Sequence, residues 1–150
     1  MEIAIGSDHA GVQLKKEIMA ILTMEGYKPI DCGAYSEEAV DYPDIAETVA
    51  NVVLQKNALG ILVCGTGIGI SIAANKIPGI RAALCHDLFG ARLAREHNNA
   101  NILAIGSRLI GSGLAEEIVK TFIKTSFAAG RHQRRVEKIT ALENKYRERV

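Results

Sequence analysis

Residues 59 to 76 constrain this chain more than any other stretch. An apolar run of strand length, Leu59 to Val63, passes into Cys64, then into the alternating glycines Gly65, Gly67 and Gly69, then into a helix-like segment that ends near Asn75 and Pro78. A strand that becomes a helix through a glycine elbow gathers backbone N–H groups at one point, and the glycines let a ligand approach them closely. Such a cradle suits an anion, and Cys64 stands at its mouth.

The rest of the chain places that elbow inside a larger pattern. Ile3 to Gly6, Pro29 to Cys32, Ile80 to Leu84 and Ile102 to Ile105 read as further strands. Between them lie helical segments: one carrying Leu14, Ile18, Ile21 and Leu22 on a single face and closed by Gly26, one starting at Asp41-Tyr42-Pro43-Asp44 and running to about Gln55, one over Leu88 to His97, and one over Ile110 to Thr125. A last, very polar helix is expected over about 133–149, with Val136, Ile139, Leu142 and Tyr146 in one stripe that suits a partner helix or a second subunit.

Strands alternating with helices predict an α/β fold: a three-layer α/β/α sandwich around a five-stranded parallel, doubly wound sheet of order 2-1-3-4-5, Rossmann-like, with an extra C-terminal helix. At 150 residues this is one domain, 1–150. In such sheets ligands bind outside the carboxyl ends of strands 1 and 3, where the winding reverses. Those two ends carry Asp8-His9 and Cys64-Gly65-Thr66-Gly67, and strands 4 and 5 would bring Cys85-His86-Asp87 and Ser107-Arg108 to the same rim.

Bulk properties exclude several classes of function. A formal charge of +1 gives no global reason for a nucleic-acid or membrane-surface partner. Cys32, Cys64 and Cys85 form no CxxC pair and no zinc spacing, which fits a reduced, cytoplasmic setting. The chain begins directly with a strand, so no secretory signal is expected, and no apolar run approaches the roughly 20 residues that span a bilayer.

Specific phosphate motifs can also be tested. A GxGxxG fingerprint would need glycine where Ile70 stands, GxxxxGK[ST] is absent, and a cysteine phosphatase would want arginine at that same Ile70. What remains is an anion cradle beside a thiol. Cys64 could be a small apolar residue at a strand end, or a general base, because backbone donors and a helix N-terminus favour thiolate over thiol. Cys32 and Cys85 have no comparable setting and are expected to be inert. Asp8-His9 could simply cap a helix, and His97 in Arg95-Glu96-His97-Asn98 could simply sit at a helix end, or these groups could move protons and hold hydroxyls. Gly130-Arg131-His132-Gln133-Arg134-Arg135 places cations at a helix start, unfavourable there unless an anion neutralises them, the alternative being a solvated basic turn. With Arg108 as another clamp, a phosphorylated small molecule satisfies these groups; RNA does not, since no aromatic platform accompanies the arginines.

Taken together, Gly6-Ser7-Asp8-His9-Ala10-Gly11, Asp41-Tyr42-Pro43, the run from Cys64 to Lys76, Gly79-Ile80-Arg81-Ala82, Arg95-Glu96-His97-Asn98 and Gly130 to Arg135 resemble the ribose-5-phosphate isomerase type B family over essentially the whole length. The wider family includes isomerases of allose 6-phosphate and galactose 6-phosphate. The resemblance implies interconversion of an aldose phosphate and its ketose through an enediolate, without metal or redox cofactor. It implies Cys64 as the base between C2 and C1, Gly65, Thr66, Gly67, Ile68 and Gly69 as the anion hole, and His97 as the ring-opening group. It further implies Asp8 and Asn98 as sugar-binding groups, with His9, Arg108, Arg131 and Arg135 at the phosphate. One branch of the family uses a glutamate at the position of Ile70 instead of the cysteine, so Cys64 and Ile70 put this chain in the cysteine branch, and Ser7 stays outside the chemistry. A homodimer, sometimes paired into a tetramer, is implied as well, with Arg131 and Arg135 reaching the neighbour's site. Two rival readings stand beside the pentose-phosphate one: a hexose 6-phosphate isomerase of the same mechanism, and a silent sugar-phosphate or nucleotide-binding module. The module would need neither a base at Cys64 nor an acid at His97.

Overall fold

The computed structural model describes residues 1–147. In chain order the elements are β1 (Glu2–Ser7), a 3-10 turn (His9–Gly11), α1 (Val12–Met24), β2 (Lys28–Asp31), α2 (Tyr42–Lys56), β3 (Leu59–Cys64) and α3 (Ile68–Ala74), then β4 (Ala82–Leu84), α4 (Leu88–Asn98), β5 (Ile102–Gly106), α5 (Ser112–Lys124) and α6 (Arg131–Arg147). The final helix starts two residues before the expected Gln133, and the expected end at Arg149 lies outside the described residues. Among the described residues no helix is long and apolar enough to cross a membrane.

All strand pairings are parallel, as the alternation of elements requires, with helices on both faces. The order is β2-β1-β3-β5-β4, which corrects the expected 2-1-3-4-5: the last two strands are exchanged. The cause is visible in their composition. All of β5 (Ile-Leu-Ala-Ile-Gly) is buried, whereas β4 has 3 residues and ends at Leu84, 39% exposed. A fully apolar strand gains most between two neighbours, and a short, half-exposed one is best left at an edge. The exchange puts Gly106 directly opposite Cys64, so the segment after β5 emerges beside the glycine elbow.

Alternate residues of each strand feed two cores. Ile3, Ile5, Ile61, Val63, Leu103 and Ile105 pack on the α1, α4 and α5 side with Leu14, Ile18, Leu22, Ala91, Ile118 and Phe122. Ala4, Leu62, Ile102 and Ala104 pack on the other side with Ala46, Val49, Ala50 and Val53 of α2 and Ile70 and Ala74 of α3.

One charged residue crosses into this core. Lys15, 1% exposed, lies on the apolar face of α1 beside Ile18, and its ammonium donates to Asp31 Oδ1 at 2.6 Å and to the Ala34 carbonyl at 2.6 Å. Asp31 Oδ1 also accepts from the Gly33 amide, and the Gly33 carbonyl and Ala34 amide bond to the backbone of Ser7. The buried ammonium thereby ties the end of β2 to the end of β1, one residue before Asp8. Removing one partner of a buried ion pair leaves the other uncompensated, a loss of 3–5 kcal/mol for fully buried pairs. Because the Asp31 side chain keeps 31% exposure, Lys15→Met is expected near the lower end, about 3 kcal/mol, read from the urea midpoint. A loss under about 1 kcal/mol would show that the pair adds no net stability.

Candidate active site

At the carboxyl ends of β1 and β3 the backbone dictates the geometry. Asp8 caps the 3-10 turn: its Oδ1 accepts from the Ala10 amide at 3.0 Å and the Gly11 amide at 3.2 Å, and its own amide donates to the Val63 carbonyl. The carboxylate is therefore both a cap and a fixed polar group, 8% exposed, next to β3. His9 follows at the surface of the turn, where its Nδ1 accepts from the Val40 amide at 3.3 Å. That bond assigns the ring proton to Nε2, which is left free to donate. Ser7 is fully buried, and its hydroxyl finds no partner among the described residues.

Cys64 ends β3 with its sulfur turned into the elbow. The Gly67 amide donates to Sγ at 3.0 Å. At 5% exposure Cys64 forms the floor of the cradle rather than its mouth, a correction to the sequence expectation. Gly67 itself has φ 78°, and a Cβ on it would lie 2.6 Å from Leu84 Cδ1 and 2.9 Å from the Ile105 backbone, so only glycine turns the chain here. The Ile68 amide is taken by Thr66 Oγ1 at 3.3 Å, which leaves the hydroxyl proton of exposed Thr66 available. Gly69 and Ile70 lie in the first turn of α3, where amides have no carbonyl within the helix to bond. The Ile70 side chain is fully buried beneath α3, so the position of the glutamate branch is a core position here.

The other two cysteines are held as neutral thiols. Burial pushes the Cys85 thiol up to about 11, with Asp87 adding to it, and burial likewise raises Cys32.

Arg108 lies against the elbow because β5, not β4, neighbours β3. Its amide donates to the Gly65 carbonyl at 3.0 Å, and its Nη1 is 3.2 Å from where a Gly65 Cβ would be. Asp8, His9, Cys64, Gly65 to Gly69 and Arg108 thus share the carboxyl edge of the sheet.

His97, Asn98, Arg131 and Arg135 do not. The α4 helix starts after β4 and returns across the sheet, its 11 residues covering about 16 Å. His97 and Asn98 end it beside the amino ends of β4 and β5: Asn98 O accepts from Arg81 Nε, and Arg81 immediately precedes β4. The start of α6 docks at the same place. The His132 ring stacks on His97 at 4.0 Å between centroids and 14° between planes, and the Ala128 amide donates to the Glu96 carbonyl. Burial, and then the positive surroundings of His97, Arg131 and Arg135, hold His132 below its ordinary value, so it packs as a neutral ring. The shared location expected for Asp8 and His97 is therefore corrected: one chain carries the two groups of residues on opposite edges of its sheet.

A model of the ribose/galactose isomerase family matches residues 3–139. The chain belongs to that family. It is 50% identical over 145 residues to ribose-5-phosphate isomerase B of Escherichia coli, covering 96% of this chain and 97% of that one, and 45% identical over 146 residues to that of Mycolicibacterium paratuberculosis, covering 95% and 92%. Among solved structures, ribose-5-phosphate isomerase B of Clostridium thermocellum superposes with a TM-score of 0.95 at 54% identity, covering 97% of this chain and 99% of that one. The Thermotoga maritima enzyme gives 0.91 at 55% identity, covering 93% and 97%. As a member of this family the chain is an isomerase.

Three side chains around the isomerase elbow, named in the sequence only as parts of longer segments, have structural roles that the sequence did not assign. Tyr42 packs its ring and hydroxyl against Gly69, 2.7–3.0 Å from where a Cβ would stand, and so walls the loop from the α2 side. Ser107 donates from its hydroxyl to the Ala10 carbonyl at 2.9 Å and from its amide to the Cys64 carbonyl at 2.8 Å, joining β5, β3 and the Asp8 turn. His86 Nε2 accepts from the Gly106 amide at 3.2 Å. Their signal in the sequence was adjacency to motif residues, which does not say which way a side chain turns.

Proposed function

We propose that this chain interconverts ribose 5-phosphate and ribulose 5-phosphate through an enediolate. The observation that carries the reading is the sulfur of Cys64 held by the Gly67 amide at the base of a loop that runs into the first-turn amides of Gly69 and Ile70, which have no carbonyl within the helix. In the open-chain aldose, the Cys64 thiolate takes the C2 proton and the C–H electrons form the C1–C2 double bond. The charge that moves onto O1 is met by the loop amides and the Thr66 hydroxyl, placed before reaction begins. Return of the proton from Cys64 to C1, with the O2 proton passing to O1 as the C2=O2 double bond forms, gives the ketose. Asp8 holds sugar hydroxyls, and His9 and Arg108 take the phosphate from the same edge.

His97 opens the furanose ring, Asn98 holds the sugar, and Arg131 and Arg135 complete the phosphate grip. Because these four lie at the amino edge, they serve the Cys64 of a second copy, and a two-fold dimer supplies two composite sites from one self-complementary arrangement. The exposed residues Ile139, Leu142 and Tyr146 on α6 fit a helix with a neighbour.

The family description names galactose as well as ribose, which keeps a hexose phosphate as the second reading. Parallel assays decide between them: kcat/KM for ribose 5-phosphate is expected to exceed that for allose 6-phosphate and galactose 6-phosphate by about tenfold or more, the scale on which a pocket discriminates small differences in an apolar or polar group. Equal or reversed values would overturn the pentose assignment.

A further inference from the structure

The last turn of α4 is held by more than a helix end requires. Asn99 adopts the left-handed conformation (φ 45°), its amide donates to the Ala94 and Arg95 carbonyls, and the Ala100 amide also returns to Ala94. That closure by itself ends many helices. Two arginines are added to it. Arg81 Nε donates to the Asn98 carbonyl at 3.0 Å and the Asn99 carbonyl at 3.2 Å, and its Nη2 donates to Asn99 O at 2.9 Å. Arg95 Nη1 donates to Asn99 Oδ1 at 3.1 Å and to the Ala100 carbonyl at 2.5 Å, while its Nε reaches the Thr125 carbonyl at 3.2 Å.

Neither guanidinium has a carboxylate within ion-pair distance among the described residues. Burial lowers both, and the charge of Arg81 lowers Arg95 further, so the pair works against itself electrostatically. What opposes that cost is the charge of Glu143, which acts on Arg81 from beyond ion-pair distance, together with the negative end of α4, whose last carbonyls are aimed at the two forks. Asn101 completes the bracket, accepting from the Arg81 amide at 2.8 Å and donating to the Gly79 carbonyl at 2.8 Å. The turn locked this way is the one that presents His97 and Asn98.

We propose that Arg81 and Arg95 are positioning residues of the isomerase site: they touch no substrate, and by fixing the carbonyls of the α4 terminus they hold His97 in the one orientation a neighbouring chain's Cys64 site can use. This rests on the reading that His97 opens the sugar ring. The two forks act as a unit, since each binds an atom of Asn99. A lysine could replace the charge but not the simultaneous grip on two carbonyls.

The test separates ring opening from proton transfer. Ribulose 5-phosphate has its C5 oxygen phosphorylated and cannot form a furanose, so uptake of solvent deuterium at its C1, followed by NMR, reports enediolate formation alone. Conversion of ribose 5-phosphate needs the ring opened as well. His97→Ala is expected to lose conversion by at least about 10²-fold while exchange stays within a few-fold; equal loss of both, or of neither, would overturn the ring-opening reading itself. Given that split, Arg81→Gln and Arg95→Gln are expected to reproduce it, with conversion down about 10- to 100-fold, and to add less than about twofold in the His97→Ala background, as residues acting through one another do. Equal loss of conversion and exchange, or full multiplicative loss on top of His97→Ala, would overturn the positioning role. Should either glutamine variant fail to fold, Arg81→Lys and Arg95→Lys keep the cation at the helix end and are expected to show the same split at reduced size; lysine variants with unchanged conversion would overturn it equally.

Discussion

Cys64→Ala is expected to lower turnover of ribose 5-phosphate by 10²- to 10⁴-fold, the range a positioned general base supplies, while KM changes by no more than a few-fold. The split follows from what the side chain touches. Its sulfur sits on the floor of the loop and bonds the Gly67 amide, whereas the phosphate-binding groups proposed at this edge, His9 and Arg108, stand on other segments. Binding energy thus stays while the proton acceptor goes. The substitution leaves the Gly67 amide without its acceptor, at a cost of about 1–3 kcal/mol for a buried donor, small enough for the fold to persist. Cys64→Ser separates the two contributions: an oxygen can accept from Gly67, yet a serine hydroxyl does not ionise near neutral pH, where a thiol supplies thiolate as the proton acceptor. Serine is therefore expected to restore stability and not turnover. Rates near wild type in either variant, with steady-state kinetics on pure protein, would remove Cys64 as the base.

A mixed dimer of Cys64→Ala and His97→Ala chains is expected to be active although each parent is not. If His97 of one chain serves Cys64 of the other, the mixed dimer holds one site lacking both groups and one site intact. Activity per dimer should then reach about half of wild type, because two-fold symmetry makes the sites equivalent and independent. Heterodimers isolated with two different affinity tags supply the material. No recovery would mean that the two residues work within one chain, which would require α4 to bring its end across about 16 Å of sheet. The same logic makes a chain prevented from dimerising nearly inactive even when correctly folded.

Much of this molecule was legible without coordinates. The strand–glycine–helix run at 59 to 76, the alternation of β and α elements and the five parallel strands followed from hydrophobic period and from glycine and proline placement, which act over a few residues. Asp8, Cys64 and Arg108 stood out as candidates because the carboxyl ends of parallel strands are where such folds bind ligands. Helix ends were less exact: the break from Phe127 is visible in the sequence, but α6 begins at Arg131 rather than Gln133, since the positive φ at Ala129 and Gly130 that sets where the chain turns into the helix is not written in composition. Lys15 was hidden for a different reason. A lysine in a helix reads as solvent-facing, and only the Asp31 and Ala34 acceptors, contributed by a later strand and loop, make its burial tolerable.

What the amino acids decide alone is therefore local: which segments are strands, where glycine must stand, and that a thiol meets a turn rich in backbone donors. What only the folded chain decides is adjacency. The exchange of β4 and β5 depends on which strand gains more from two neighbours, and it is this exchange that lays Arg108 beside Gly65. The separation of His97 from Cys64 depends on α4 running back across the sheet, a consequence of parallel pairing that no motif near either residue encodes. Burial and topology are properties of the whole chain, and so is the placement of these candidate residues on its two edges.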